Sequence, residues 1–266
     1  MLGYKLQSLA FAILVSILAE GSRMKEDEYT HYMNMKNPDL DPRIENILRQ
    51  KPQITEVDYQ DINRIFEGKK LQNEIGFTKL KNRDYLVAMK TEMPNVKPEM
   101  AKWWYWWHAK EKERYQIWYP GEHLSISYYF RNKQYFTEAF KEFEENTVYP
   151  LERVGGKTFE LSIKFVNPRK FGISEANIKK TENGFLLCGF VGILKGLIQH
   201  TKMFHYFKPN GKGVELISRF WLGNGLPKIL KSIAANEEQA YEMAKHCSIE
   251  YKRLSMILPE IYKKYK

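Results

Sequence analysis

The pattern that most constrains this chain is a succession of strand signals ending in one long helix. Thr158-Phe-Glu-Leu-Ser-Ile-Lys-Phe-Val166 alternates apolar and polar residues, the period of a strand with one wet face. Residues 184–193 read as a second strand, and residues 199–207 and 214–222 as a hairpin about Pro209-Asn-Gly-Lys-Gly213. Asn236-Glu-Glu-Gln239 then has the form of a capping box, opening a helix that runs to the C-terminus with a kink expected at Pro259. Antiparallel strands closed by a single helix predict an α+β fold. In it a curved sheet wraps the last helix and leaves a cavity between them.

The inward stripe of that helix is chemically unusual. Met243, His246, Glu250, Leu254, Ile257 and Ile261 follow one another at steps of three or four and share one face. A carboxylate on such a stripe is costly unless something positive meets it. Two readings are open on these residues alone. One is a metal ion, which accepts a neutral imidazole and a carboxylate together. The other is an i,i+4 His–Glu pair at the edge of a solvated face.

With 266 residues, 43% of them hydrophobic and 14% aromatic, the chain suits one generous domain or a core with a smaller appendage. Its net charge of +10 is scattered as pairs such as Lys69-Lys70, Lys179-Lys180 and Lys263-Lys264. No dense basic run or nucleic-acid motif is present, so a nucleic-acid partner is not expected. Cys188 and Cys247 make neither a disulfide framework nor a CxxC pair, and read as buried free thiols.

Three regions follow from composition. Residues 1–23 contain an apolar run from Leu9 to Ala19, too short to span a bilayer and proportioned like a signal-peptide core. An N-terminal extension, or an apolar helix packed on the body, fits the run equally. Residues 24–97 are polar, punctuated by Pro38, Pro42, Pro52 and Pro94, and predict a helical region whose clearest helix covers 57–66. This region is expected to pack on the main domain or on a second subunit. Residues 98–266 form the main domain, entered by a helix over 98–114, with another over 133–145. The first of these carries Trp103-Trp104-Tyr105-Trp106-Trp107, which suits either the wall of a cavity for a flat ligand or plain core.

Five blocks, in order, resemble those of the 2,4-diacetylphloroglucinol hydrolase and phloretin hydrolase family. They are Trp103-Trp104-Tyr-Trp-Trp-His108, Arg114-Tyr115-x-x-Trp118-x-Pro120-x-x-His123, Phe165-Val-Asn-Pro-Arg-Lys-Phe-Gly172, Ser218-Arg-Phe-Trp-Leu-Gly223 and His246-Cys-x-x-Glu250. The resemblance implies a Bet v 1-like helix-grip domain with a smaller helical N-terminal region, assembled as a homodimer. It implies a hydrolase that uses one Zn2+ per chain. The substrate would be a small phenolic ketone, cut at the carbon–carbon bond between a polyhydroxylated ring and an acyl carbonyl, with release of a carboxylic acid. The location it implies is cytoplasmic, or exported if residues 1–21 are a signal peptide.

The family's zinc ligands fall on His123, Glu152, His246 and Glu250, with Glu138 and Glu160 as alternatives for the mid-chain carboxylate. Its substrate-contacting groups fall on Tyr115, which would hold a phenolic or carbonyl oxygen, and on His205, which would move a proton. A cavity-wall tyrosine and a satisfied strand histidine are the plain alternatives for these two, and His108 receives no role. Two family polar contacts, an asparagine and a tyrosine, are replaced by Ile126 and Phe220, which leaves the particular acyl-phenol open. A non-catalytic helix-grip protein for apolar or phenolic ligands is the competing reading, and a zinc hydrolase of esters or amides a third. Two buried carboxylates beside two histidines favour the enzyme, because a carrier has no use for them.

Overall fold

The computed structural model describes residues 28–50, 62–66 and 74–266; the apolar run at 9–19 and residues 57–61 of an expected helix lie outside them. Among the described residues, no helix is long and apolar enough to cross a membrane. The chain divides into two compact units, Met1–Lys36 and Asn37–Lys266. In the first, residues 28–34 are helical.

The second unit has an α+β architecture. Among the described residues it holds nine strands: β1 (Gly76–Lys79), β2 (Tyr85–Pro94), β3 (His123–Tyr128), β4 (Thr147–Val154), β5 (Lys157–Glu160), β6 (Ser162–Val166), β7 (Phe185–Ile193), β8 (Ile198–Pro209) and β9 (Gly213–Leu222). Every pairing is antiparallel, in the order β1-β2-β9-β8-β7-β6-β4-β3, with β5 on β4. The helices that matter for the site are α1 (Pro98–Trp107), α2 (Lys112–Gln116), α3 (Lys228–Ala234) and α4 (Glu237–Tyr265).

The expected hairpin and final helix are both present. The Asn236 side chain accepts the Gln239 amide at 3.0 Å, capping α4 as its sequence implied. Leu254, Ile257 and Ile261 are buried along the inward stripe.

Four expectations are corrected. Residues 76–94, placed in a helical N-terminal region, instead form β1 and β2, and β2 pairs with β9 along its whole length. Tyr85 to Met89 are all buried, so the strand shows no alternation to betray it. The single strand expected over 158–166 breaks at Leu161. There the Leu161 amide donates to the Pro150 carbonyl at 2.9 Å, and Pro150 has no N–H with which to continue the ladder. The helix expected over 133–145 is confined to Lys133–Thr137, and the one over 98–114 is interrupted after Trp107 by a 3-10 turn.

The two faces of the sheet are both covered. On β8, Phe204 and Tyr206 point to an outer cluster with Leu86, Cys188, Ile217 and Trp221. The intervening Met203 and His205 point inward, as the period of two requires. Asn63 ties part of the outer cover in place, donating to the Gly172 carbonyl and accepting from the Ser174 amide. Cys188 and Cys247 are buried free thiols, as expected.

Candidate metal centre and cavity

His123 opens β3, and its direct cross-strand partner is Glu152 on β4. The final helix supplies His246 and Glu250, one turn apart and both facing the sheet. Glu250 Oε2 lies 3.4 Å from His123 Nε2 and 3.7 Å from His246 Nε2. One donor atom from each of the three side chains lies within 4.8 Å of the other two, a spacing that a single metal ion could bridge. All three are buried, and neither Nε2 has a hydrogen-bond partner.

Aromatic rings hold this group in place. Tyr115 of α2 stacks on the His123 ring at 4.2 Å and 3° between planes, while Trp118 meets it edge-on at 5.0 Å. The Trp118 indole N–H donates to the Glu250 backbone carbonyl at 3.1 Å, so one side chain fixes both a β3 donor and an α4 donor.

The electrostatics describe a set of donors awaiting positive charge. Burial lowers the His246 pKa to about 3 and takes His123 well below its usual value, so both rings are neutral with free lone pairs. Burial, and then the neighbouring Glu152, raise Glu250 well above the usual carboxylate range. Desolvation likewise pushes Glu152 up to about 7. Neutral imidazoles beside destabilised carboxylates fit a divalent cation, which removes both penalties at once.

Glu152 is not part of the three-residue group. Its Oε1 accepts the Tyr115 hydroxyl, and it is half-buried on the wall of a cavity. The two other mid-chain carboxylates lie elsewhere. Glu138 pairs with Lys141 at 2.7 Å on the surface, and Glu160 is exposed on β5.

The cavity lies between the inner sheet face and α4 and encloses about 1260 Å3, counting solvent at its mouth. Val148, Ile163, Val191, Met203 and Leu222 make it apolar, while exposed Lys157 and Glu238, an ion pair at 3.4 Å, line its opening. Ile126 and Phe220, the two departures from the family pattern, both sit on its wall. Of the five consecutive aromatics only Tyr105 reaches it. Trp103 stacks on Trp107 at 5.1 Å and meets Tyr262 of α4 edge-on, and Trp107 meets Tyr265, so these two are core between α1 and α4, while Trp106 packs on Phe140 and Trp104 on Trp118.

His205 also lines the cavity, and both its ring nitrogens have partners: Nδ1 with Ser218 Oγ at 2.8 Å, Nε2 with the Tyr251 hydroxyl at 3.2 Å. Tyr251 in turn bonds the Tyr105 hydroxyl at 2.6 Å. Sequence reasoning found His205 but not these partners. Ser218 stood in a quoted block without a function, and nothing along the chain links residues as remote as Tyr105 and Tyr251.

A family model described as "DAPG hydrolase PhiG domain" matches residues 57–263. The 2,4-diacetylphloroglucinol hydrolase of Pseudomonas protegens is 29% identical over 230 residues, covering 77% of this chain and 73% of that protein. The phloretin hydrolase of Eubacterium ramulus is 27% identical over 219 residues, covering 77% of this chain and 78% of that protein.

Proposed function

The chain belongs to the DAPG hydrolase PhiG domain family, and from that premise we propose that it is a zinc-dependent hydrolase of acylated polyphenols. It cleaves the bond between a polyhydroxylated ring and an acyl carbonyl, in ketones like diacetylphloroglucinol or phloretin. One water is consumed, the carbonyl carbon leaves as a carboxylic acid, and the ring carbon takes a proton. The observation that carries this reading is the convergence of His123, His246 and Glu250 with their imidazole Nε2 atoms unpartnered.

His123, His246 and Glu250 would hold the ion, with Glu152 as the fourth ligand. A closed four-residue shell is usually structural, whereas catalytic zinc keeps three protein ligands and an open position. Tyr115 answers that objection, because its hydroxyl holds the Glu152 carboxylate. What zinc supplies when bound is Lewis acidity, polarising a ketone oxygen and lowering the pKa of water to about 7. The chain's own side chains do the rest. The apolar walls exclude bulk water from the carbonyl, and Tyr115 orients an oxygen of the substrate or the Glu152 carboxylate. His205, kept neutral at rest by burial with a pKa of about 3, would move a proton at Nε2, where the Tyr251 hydroxyl bonds it.

The sheet gripping α4 supports a Bet v 1-like helix-grip, and we extend the proposal to a homodimer, which light scattering on the purified protein tests directly. The activity test is metal content beside turnover. About one zinc per chain is expected, with acid release from acylphloroglucinols or phloretin lost in chelator and restored by zinc. His246→Ala should lose both metal and turnover while keeping the fold. Full activity without metal sinks the zinc assignment. Ligand binding with no cleavage of any aryl ketone replaces the enzyme with a carrier, and faster release from phenyl esters moves the reaction to ester hydrolysis.

A further inference from the structure

Four buried side chains form one hydrogen-bonded line along the cavity wall: Ser218, His205, Tyr251 and Tyr105. Ser218 lies directly across from His205 in the β8–β9 ladder, so the rigid sheet sets the contact. It is 1% exposed, and its hydroxyl also hydrogen-bonds the buried Cys247 thiol. Tyr105, His205 and Tyr251 line the cavity, whereas Ser218 stands behind the ring and does not.

Proton arithmetic gives this order a consequence. A phenol is a much stronger acid than a neutral imidazole N–H, so the Tyr251 O–H donates to Nε2 rather than the reverse. Nε2 is then bare of hydrogen, and the single ring proton sits on Nδ1, donated to Ser218 Oγ. A ring walled in by Phe220, at 5.3 Å edge-on, and by Tyr251 is a poor place for a second proton. Ser218 Oγ is the partner that keeps the ring proton on Nδ1, because a hydroxyl oxygen accepts as well as donates.

We infer that Ser218 is a positioning residue for His205: its hydroxyl accepts the Nδ1 proton and holds the ring in that tautomer, which leaves Nε2 bare and turned to the Tyr251 hydroxyl. The catalytic part of this inference rests on the proposed hydrolase reading. The assignment of the resting proton does not.

The test uses the full chain with its metal. Histidine 15N chemical shifts, with the His205 signals identified by their loss in His205→Asn, should show wild-type His205 protonated on Nδ1 and bare on Nε2. Ser218→Ala should move the proton to Nε2, because an N–H left without a partner is costlier to bury than a bare nitrogen. In the same variant kcat should fall by about a hundredfold with KM within about twofold of wild type, and Ser218→Thr should restore both the tautomer and kcat. A wild-type ring protonated on Nε2 overturns the inference, as does a Ser218→Ala enzyme with unchanged kcat. Should Ser218→Ala not fold, the wild-type and Ser218→Thr spectra decide. A wild-type protein that cleaves no aryl ketone sinks the proposed function instead, and the tautomer still decides the role of Ser218.

Discussion

His123 and Glu152 stand opposite each other across the β3–β4 ladder; His123 belongs to the three-residue donor group, whereas the Glu152 carboxylate accepts the Tyr115 hydroxyl. One phenol therefore touches both facing side chains, stacking on the first and bonding the second.

Removing that phenol should be visible in turnover. A hydrogen bond to a charged group contributes about 1.5–3 kcal/mol, so Tyr115→Phe should lower kcat/KM by about 10- to 100-fold while zinc content stays at the wild-type level. Steady-state kinetics and metal analysis on the same preparation check this. An unchanged kcat/KM removes Tyr115 from the mechanism.

Acid should unfold the protein early. Burial holds His205 and His246 at pKa values of about 3 and His108 at about 4, whereas unfolded histidine titrates near 6.5. Below 6.5 the unfolded chain binds protons that the native state refuses. Stability is thus complete above about pH 6.5 and falls as pH drops. Each of these rings costs roughly 3 kcal/mol by pH 4, and together they rival the whole stability of a typical domain. Glu152 has the opposite sign. Its carboxyl, pushed up to about 7 from 4.5, withdraws stability as pH rises through that window until a cation binds it. A circular-dichroism titration should find the acid midpoint between about pH 4 and 6, and retained native ellipticity at pH 4 contradicts the prediction.

The turn at the cavity mouth should resist substitution. Gly155 has φ +56°, and a Cβ there would lie 2.6 Å from Glu242 Cγ on α4. Gly155→Ala should therefore cost about 1–2 kcal/mol of stability and, by shifting the opening, raise KM more than it lowers kcat. Urea denaturation and substrate titration separate the two effects. A variant as stable as wild type shows that the turn relaxes freely.

Away from the cavity, Asp84 is 1% exposed and accepts the Lys231 ammonium at 2.5 Å, which fastens α3 to the β1–β2 turn. Asp84→Ala leaves that cation without its counter-charge, bonded only to the Asn82 carbonyl at 3.2 Å, and should cost about 3–5 kcal/mol. Activity per folded molecule should be preserved, since neither residue lines the cavity. A shift in urea midpoint equivalent to less than about 1 kcal/mol would place the pair among those that contribute little.

Local patterns carried much of this architecture into the sequence. His246 and Glu250 were legible because helical spacing placed them on one apolar stripe, and Asn236 because a cap is a contact over three residues. β2 was not legible, since its first half is buried on both faces and lacks the alternation that marks a strand. That Glu152, and not Glu138 or Glu160, faces His123 depended on strand register, a relation between residues far apart in the chain. For the same reason the Ser218–His205–Tyr251–Tyr105 line was out of reach. Its members meet only after the sheet has closed over the helix. The tryptophan block misled in part, because identical rings serve equally as core filler and as cavity wall, and only Tyr105 does the latter.

The helix that carries two of the three converging donors follows all nine described strands in chain order. A polypeptide still emerging from the ribosome thus displays His123 and its surrounding strand but no complete chelate. The three donors therefore meet only once that helix has been made and packed on the sheet. A truncation that removes the helix strips the cavity of its inner wall and of His246 and Glu250, so the shortened chain lacks the converging set.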